Sequence, residues 1–156
     1  MGKLSEKQKQ LVERIGVAHE KDGMPPAVAR ILGMMLVADE TEHTFEEIQA
    51  ELGLSKSAVS NALNFLLMDK SIQYITRPGD RRRYFRSSIE HWPDHLGVKL
   101  KAMLEIKAVL SDVVQQRNPE TKEFNHHLNE LVSFMDFMYS QFPVLIEQWK
   151  NLKQSK

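Results

Sequence analysis

Four arginines, Arg77, Arg81, Arg82 and Arg83, crowd one Pro-Gly corner in the stretch "ITRPGDRRRYF", residues 75–85. Upstream, Ser57, Ser60, Asn61 and Asn64 recur at i, i+3, i+4 and i+7, a spacing that puts them on one face of a helix. Both groups suit a polyanion that displays hydrogen-bonding edges. Guanidinium groups on a narrow tip can enter a minor groove or clamp the phosphates along it. Asn can bond adenine N6 and N7 together, and Ser can donate or accept at most base edges, so a short polar stripe fits a helix in a major groove. No acid occurs between Leu52 and Met68. With Ser55 as N-cap and Lys56 beside it, the free N–H groups of this helix start attract phosphate. Asp80 is the one acid at the corner; in Asp-Arg-Arg it can pair with Arg81 or Arg82 and fix a guanidinium in direction. A merely solvated polar face is the plain alternative for the stripe taken alone, and the arginines beside it shift the balance.

These residues need a scaffold, and the surrounding sequence spells one. "SEKQ" is a capping box with Ser5 at the N-cap, opening a helix with Leu11, Ile15 and Ala18 on one face. Gly23 closes it, and Pro25-Pro26 open a second helix that is apolar nearly all round and therefore central. "TFEE" is another capping box, with Thr44 and Glu47, for a short helix stopped by Gly53. The helix from Ser55 follows, with Val59, Ala62, Leu63, Leu66 and Leu67 on its apolar side. Two helices joined by Gly-Leu form a helix-turn-helix pattern. After Lys70 the period falls to two, so "IQYIT" and "RYFRS" are predicted strands flanking a turn with Pro78 first and Gly79 at the φ-positive place. Helix-turn-helix followed by hairpin is a winged helix, and the arginines sit on its wing.

Length and composition agree with this scheme. The chain has 156 residues, 42% hydrophobic, enough for one ordinary core plus an arm. Its formal net charge is zero, yet residues 39–51 carry six acids and no Lys or Arg, while residues 53–86 carry seven bases against two acids. Local sign decides what a surface attracts. The absence of cysteine excludes disulfides and thiolate metal sites. No apolar run is long enough to span a membrane and the N-terminus lacks a signal-peptide core, so a cytoplasmic protein is expected. No Gly-rich phosphate loop, nucleophile motif or distinctive carboxylate pair marks an enzyme, and none is expected.

The order "GMPPAVARILGMMLVAD", "TFEEIQAELGLSKSAVSNALNFL" and "YITRPGDRRRYF" resembles the MarR superfamily of winged-helix regulators, and most of all its GbsR-type branch. The resemblance spans about residues 8–90. It implies a mainly α fold with a small β-hairpin wing, and a homodimer on a palindromic double-stranded operator, more often a repressor than an activator. It also carries base recognition onto Ser57, Ser60, Asn61 and Asn64, and wing contacts onto Asp80, Arg81 and Arg82. Arg83 departs from that branch, whose members often have an acid there.

The expected organisation is a DNA-binding domain over residues 1–90, whose N-terminal helix is a candidate to share in the dimer interface, and a helical dimerisation region over residues 91–156. In the latter, Phe124, Leu128, Leu131, Met135, Met138 and Phe142 step by fours and threes as a heptad-like seam and are the predicted dimer interface. Pro143 is expected to kink the helix or start a fresh one. No cofactor is expected. A small-molecule effector is conceivable, and Trp92, Phe124, Phe134 and Trp149 are candidate rings for a cage around a quaternary ammonium ion, although core packing explains the same residues. His91 with His95 and His126 with His127 are weaker candidates for metal, the latter pair because neighbours on a helix point apart. The competing classes are a winged helix used for protein contact and a non-specific DNA-binding protein.

Overall fold

A computed structural model of the chain describes residues 3–154, apart from the side chains of Met103 and Gln154. It forms two compact units, one ending at Glu90 and one beginning at His91.

The first unit is built around α2 (Pro26–Val37), entered through Pro25 and burying Val28, Ala29, Ile31, Met34 and Met35. Full burial of each large side chain contributes roughly 1.5–3 kcal/mol, which is why this short helix organises its neighbours. α1 (Glu6–Lys21) starts at the expected Ser5 capping box and crosses α2 where Gly33 permits close approach. A Cβ on Gly33 would lie 3.2 Å from the Val12 carbonyl oxygen. The buried positions of α1 are Val12 and Gly16; Leu11 and Ala18, expected inward, are exposed. The rotation follows from Arg30, which lies across Gly16 and bonds both Glu13 and Glu20. Those two acids must face α2, and this turns Leu11 outward.

α3 (Phe45–Leu52) has the predicted Thr44–Glu47 capping box and ends at Gly53, whose φ of 61° favours a residue without Cβ. α4 (Lys56–Met68) follows, burying Val59, Ala62, Leu63 and Leu66 against α2. The hairpin consists of β2 (Ile72–Arg77) and β3 (Asp80–Ser87), joined by Pro78 and a Gly79 of φ 80°. Sequence periodicity misses β1 (His43–Thr44), which pairs antiparallel with Phe85 and Tyr84 and completes a sheet of order β1-β3-β2. Two residues are too few to show alternation. Through β1, the wing is tied to the start of α3.

After a 3₁₀ turn (Ile89–His91), the second unit is a pair of helices, α5 (Trp92–Gln116) and α6 (Lys122–Gln154). α6 continues through Pro143, so no fresh helix starts there. The carbonyl that loses its partner belongs to exposed Tyr139, where water can replace it. Within this unit Met135 is buried with Leu104 of α5. Leu128, Met138 and Phe142 are half-buried, whereas Phe124, Leu131, Phe134, Phe137 and Leu145 remain exposed. No helix among the described residues is long and apolar enough to cross a membrane.

Candidate nucleic-acid interface

α4 presents the expected stripe. Ser55 caps it by accepting from the Ala58 N–H at 3.2 Å, and no acid stands in its first turn. Because residue 58 is Ala, no side chain reaches back as Gln8 and Glu47 do in the other two capped helices. Ser57 is engaged locally, its Oγ 3.1 Å from that of Ser55. Lys56, Ser60, Asn61 and Asn64 are all exposed. The last three make no side-chain hydrogen bond among the described residues, so their donors and acceptors face water and are available. The stripe ends in apolar side chains that the sequence reading passed over, Phe65 and an 85% exposed Met68.

The wing arranges its arginines unequally. Thr76 pairs with Arg83 and Arg77 with Asp80, so one step along β2 faces three along β3. Arg81 and Arg82 are the inserted residues, and a bulge of this kind re-aims the side chains it carries. Arg82 is bound by Asp80: its Nε lies 3.1 Å from both carboxylate oxygens, its Nη2 lies 2.7 Å from Oδ2, and its backbone N–H donates to Oδ1 at 2.9 Å. Of the two partners left open by the sequence, Asp80 takes Arg82. These hydrogen bonds hold the Asp80 carboxyl well below the usual carboxylate range and push the Arg82 guanidinium up. Arg83 lies 5.8 Å from the Tyr74 ring centroid. Arg81 forms no hydrogen bond or ion pair among the described residues.

Arg77 is placed differently from the other three. It donates to Glu42 at 2.5 Å and lies 4.0 Å over the ring of Tyr84. Glu42 and Tyr84 were not singled out in the sequence, although one lies in the acidic run and the other in the arginine motif.

Between α4 and the wing runs an open groove of about 410 Å³, lined by Ser60, Asn64, Tyr74 and Arg81 to Arg83, with Phe45, Leu63 and Phe85 among its floor and Glu46 on its wall. Stripe and wing thus border one concave surface. Three basic side chains and two hydrogen-bonding ones point to a single elongated anion rather than a compact ligand.

Elsewhere the candidate residues do not assemble. Trp92 and Trp149 touch edge to face at 5.0 Å, but Phe124 packs under Arg117 at 4.2 Å and stands ~37 Å along α6 from Trp149 at 1.5 Å per residue. The four rings therefore form no single cage within a protomer. His126 and His127 do not point apart: both approach Glu130, at 3.6 and 3.2 Å, through i,i+4 and i,i+3 spacing. No group of three or more potential metal ligands occurs among the described residues.

Comparison with known proteins agrees with this geometry. Residues 22–83 match the model of the MarR family. The HTH-type transcriptional regulator MmpR5 of Mycobacterium tuberculosis (strain ATCC 25618 / H37Rv) is 25% identical over 138 residues, covering 84% of this chain and 81% of that protein. A crystal structure of a transcriptional regulator superposes with a TM-score of 0.77 at 21% identity, covering 93% of this chain and 99% of the other. The helix-turn-helix and wing within residues 22–83 are thus similar to the MarR family, and these matches do not separate the GbsR-type branch from the rest.

Proposed function

We propose that this chain, with its MarR-family winged helix, is a transcriptional regulator that binds double-stranded DNA as a homodimer. α4 lies in the major groove with Ser57, Ser60, Asn61 and Asn64 toward base edges. Ser55 and Lys56 hold a phosphate at the helix start, and Arg81, Arg82 and Arg83 reach the flanking minor groove or its phosphates. The observation that carries this reading is the unsatisfied polar stripe on an acid-free helix, bordering the same groove as three wing arginines. A winged helix used for protein contact has no need of that combination.

Dimerisation rests on the second unit. α6 exposes Phe124, Leu131, Phe134, Phe137 and Leu145, large apolar side chains that a second copy would cover. One recognition helix covers only a few base pairs, so two are needed, about one helical turn or ~34 Å apart. The relative MmpR5 and the structural neighbour are both described as transcriptional regulators, which supports the role.

The test is a binding titration against salt. Affinity set by Lys and Arg on phosphate falls linearly on a log–log plot as counterions compete. Salt-independent binding, or none, removes the proposal.

A further inference from the structure

We infer that Glu42 is a positioning residue for the wing, acting through Arg77 and Tyr84 on the Asp80–Arg82 pair, and that Arg77 anchors the wing without contacting DNA. This rests on the DNA-binding reading and extends it to residues outside the contact surface. Glu42 immediately precedes β1, whose two residues pair with Phe85 and Tyr84. Its carboxylate receives Arg77 at 2.5 Å, and that guanidinium lies 4.0 Å from the centroid of the Tyr84 ring. Tyr84 donates to Asp80 Oδ2 at 2.7 Å, and the same oxygen accepts from Arg82 at 2.7 Å. Five side chains thus run from the start of β1 to the projecting arginine of the bulge.

The chain of contacts explains a difference among the arginines. Arg81 makes no such contact and Arg83 is near one ring; Arg82 is held by Asp80 on its own strand with the Tyr84 ring 5.4 Å away, whereas Arg77 is tied to Glu42 outside the hairpin and lies 4.0 Å over that ring. A guanidinium tied to an acid outside the hairpin is costly to redirect to a phosphate, whereas one paired with an acid of its own strand at the bulge keeps its outward direction. The two-stranded hairpin tip has few other restraints, since regular pairing is disturbed between Thr76 and Arg77 and an isolated hairpin is marginal in water. The Glu42–Arg77 pair therefore acts on the direction of Arg82, the step that an ordinary surface ion pair lacks.

The experiment compares wild type, Glu42→Gln, Glu42→Asp, Arg77→Ala and the double variant Glu42→Gln/Arg77→Ala in the full chain. Amide hydrogen exchange of β3 is followed without DNA, and affinity for duplex DNA is followed across salt. Expected results are faster exchange at Arg82 in Glu42→Gln with an unchanged melting temperature, and affinity reduced about two- to fivefold. The salt slope should stay unchanged in Glu42→Gln and Arg77→Ala, because neither residue meets phosphate. Glu42→Asp should recover part of the loss, and the double variant should bind no more weakly than Arg77→Ala. Tighter binding by Glu42→Gln in the wild-type background, a slope lowered by about one unit in Arg77→Ala, or unaltered exchange at Arg82 each overturns the inference. Exchange reports on the wing even if no DNA binds, so failure of this inference and failure of the DNA-binding reading are separable.

Discussion

Tyr84 donates its hydroxyl to Asp80 Oδ2 at 2.7 Å, from a ring that is only 6% exposed. The wing's charged tip is thereby fastened to a buried side chain of the strand that bears it. The hydrogen bond to Asp80 raises the Tyr84 pKa, while Arg82 and Tyr84 together depress that of Asp80. A carboxylate with a depressed folded pKa contributes stability above its unfolded value, about 3.9, and loses it as pH falls through the folded one. The Asp80–Arg82 arrangement is therefore intact at any pH where nucleic acid binding is ordinarily measured.

Replacing Arg81 by Ala should lower the salt slope of DNA binding by roughly one unit, and Arg81→Ala/Arg82→Ala by roughly two, with equal losses on all sequences and no change in the far-ultraviolet circular dichroism spectrum. An unchanged slope would take the wing off the phosphates.

Asn61→Ala and Asn64→Ala should each cost about 1–3 kcal/mol on the operator and far less on random duplex. Competition binding with both DNAs reads the difference. Losses of equal size would mean that the stripe touches backbone only.

The sequence was most legible where one residue type does one local job. Ser5 with Gln8, Thr44 with Glu47, and Ser55 all cap helices because their side-chain oxygens have few other uses at those places, and Pro78-Gly79 admits little but a turn. It was least legible where an outcome depends on tertiary neighbours. Which side of α1 is buried depends on Arg30 of another helix, and β1 exists only because Phe85 and Tyr84 offer it an edge. The stripe and the arginines were visible as residue types, but that Asp80 holds Arg82 rather than Arg81 required the bulge, which no periodicity announces. Lys70 adopts a φ of 58° between α4 and β2, a conformation that a lysine in sequence gives no reason to expect.

His43 is 0% exposed, and neither ring nitrogen meets hydrogen-bond geometry with a neighbour. Burial pushes its pKa below the usual histidine value, against the opposing pull of Glu47 and Glu40. The unfolded chain therefore takes up a proton, near its ordinary pKa of about 6.5, before the folded chain does. Stability should fall as pH is lowered through that value, by at most about 1.4 kcal/mol per pH unit, and level off below the folded pKa. Urea melts of the wild type and of His43→Leu check this, the variant losing that part of the pH dependence. Identical pH profiles would contradict it.

Leu131→Glu alters an exposed position of α6, so helicity should survive while two carboxylates meet near a two-fold axis and split the dimer. Sedimentation at micromolar concentration should show a dimer for wild type and a monomer for the variant. A wild type that sediments as a monomer would remove the proposed assembly.

Selection of bound duplexes from a random pool reads out whether a dimer of this chain recognises duplex DNA through α4 and the wing. The expected result is enrichment of an inverted repeat with half-site centres about one helical turn apart, bound with an affinity that falls steeply with salt. Recovery of unenriched sequence, or of a single half-site bound as tightly as the full repeat, would contradict it.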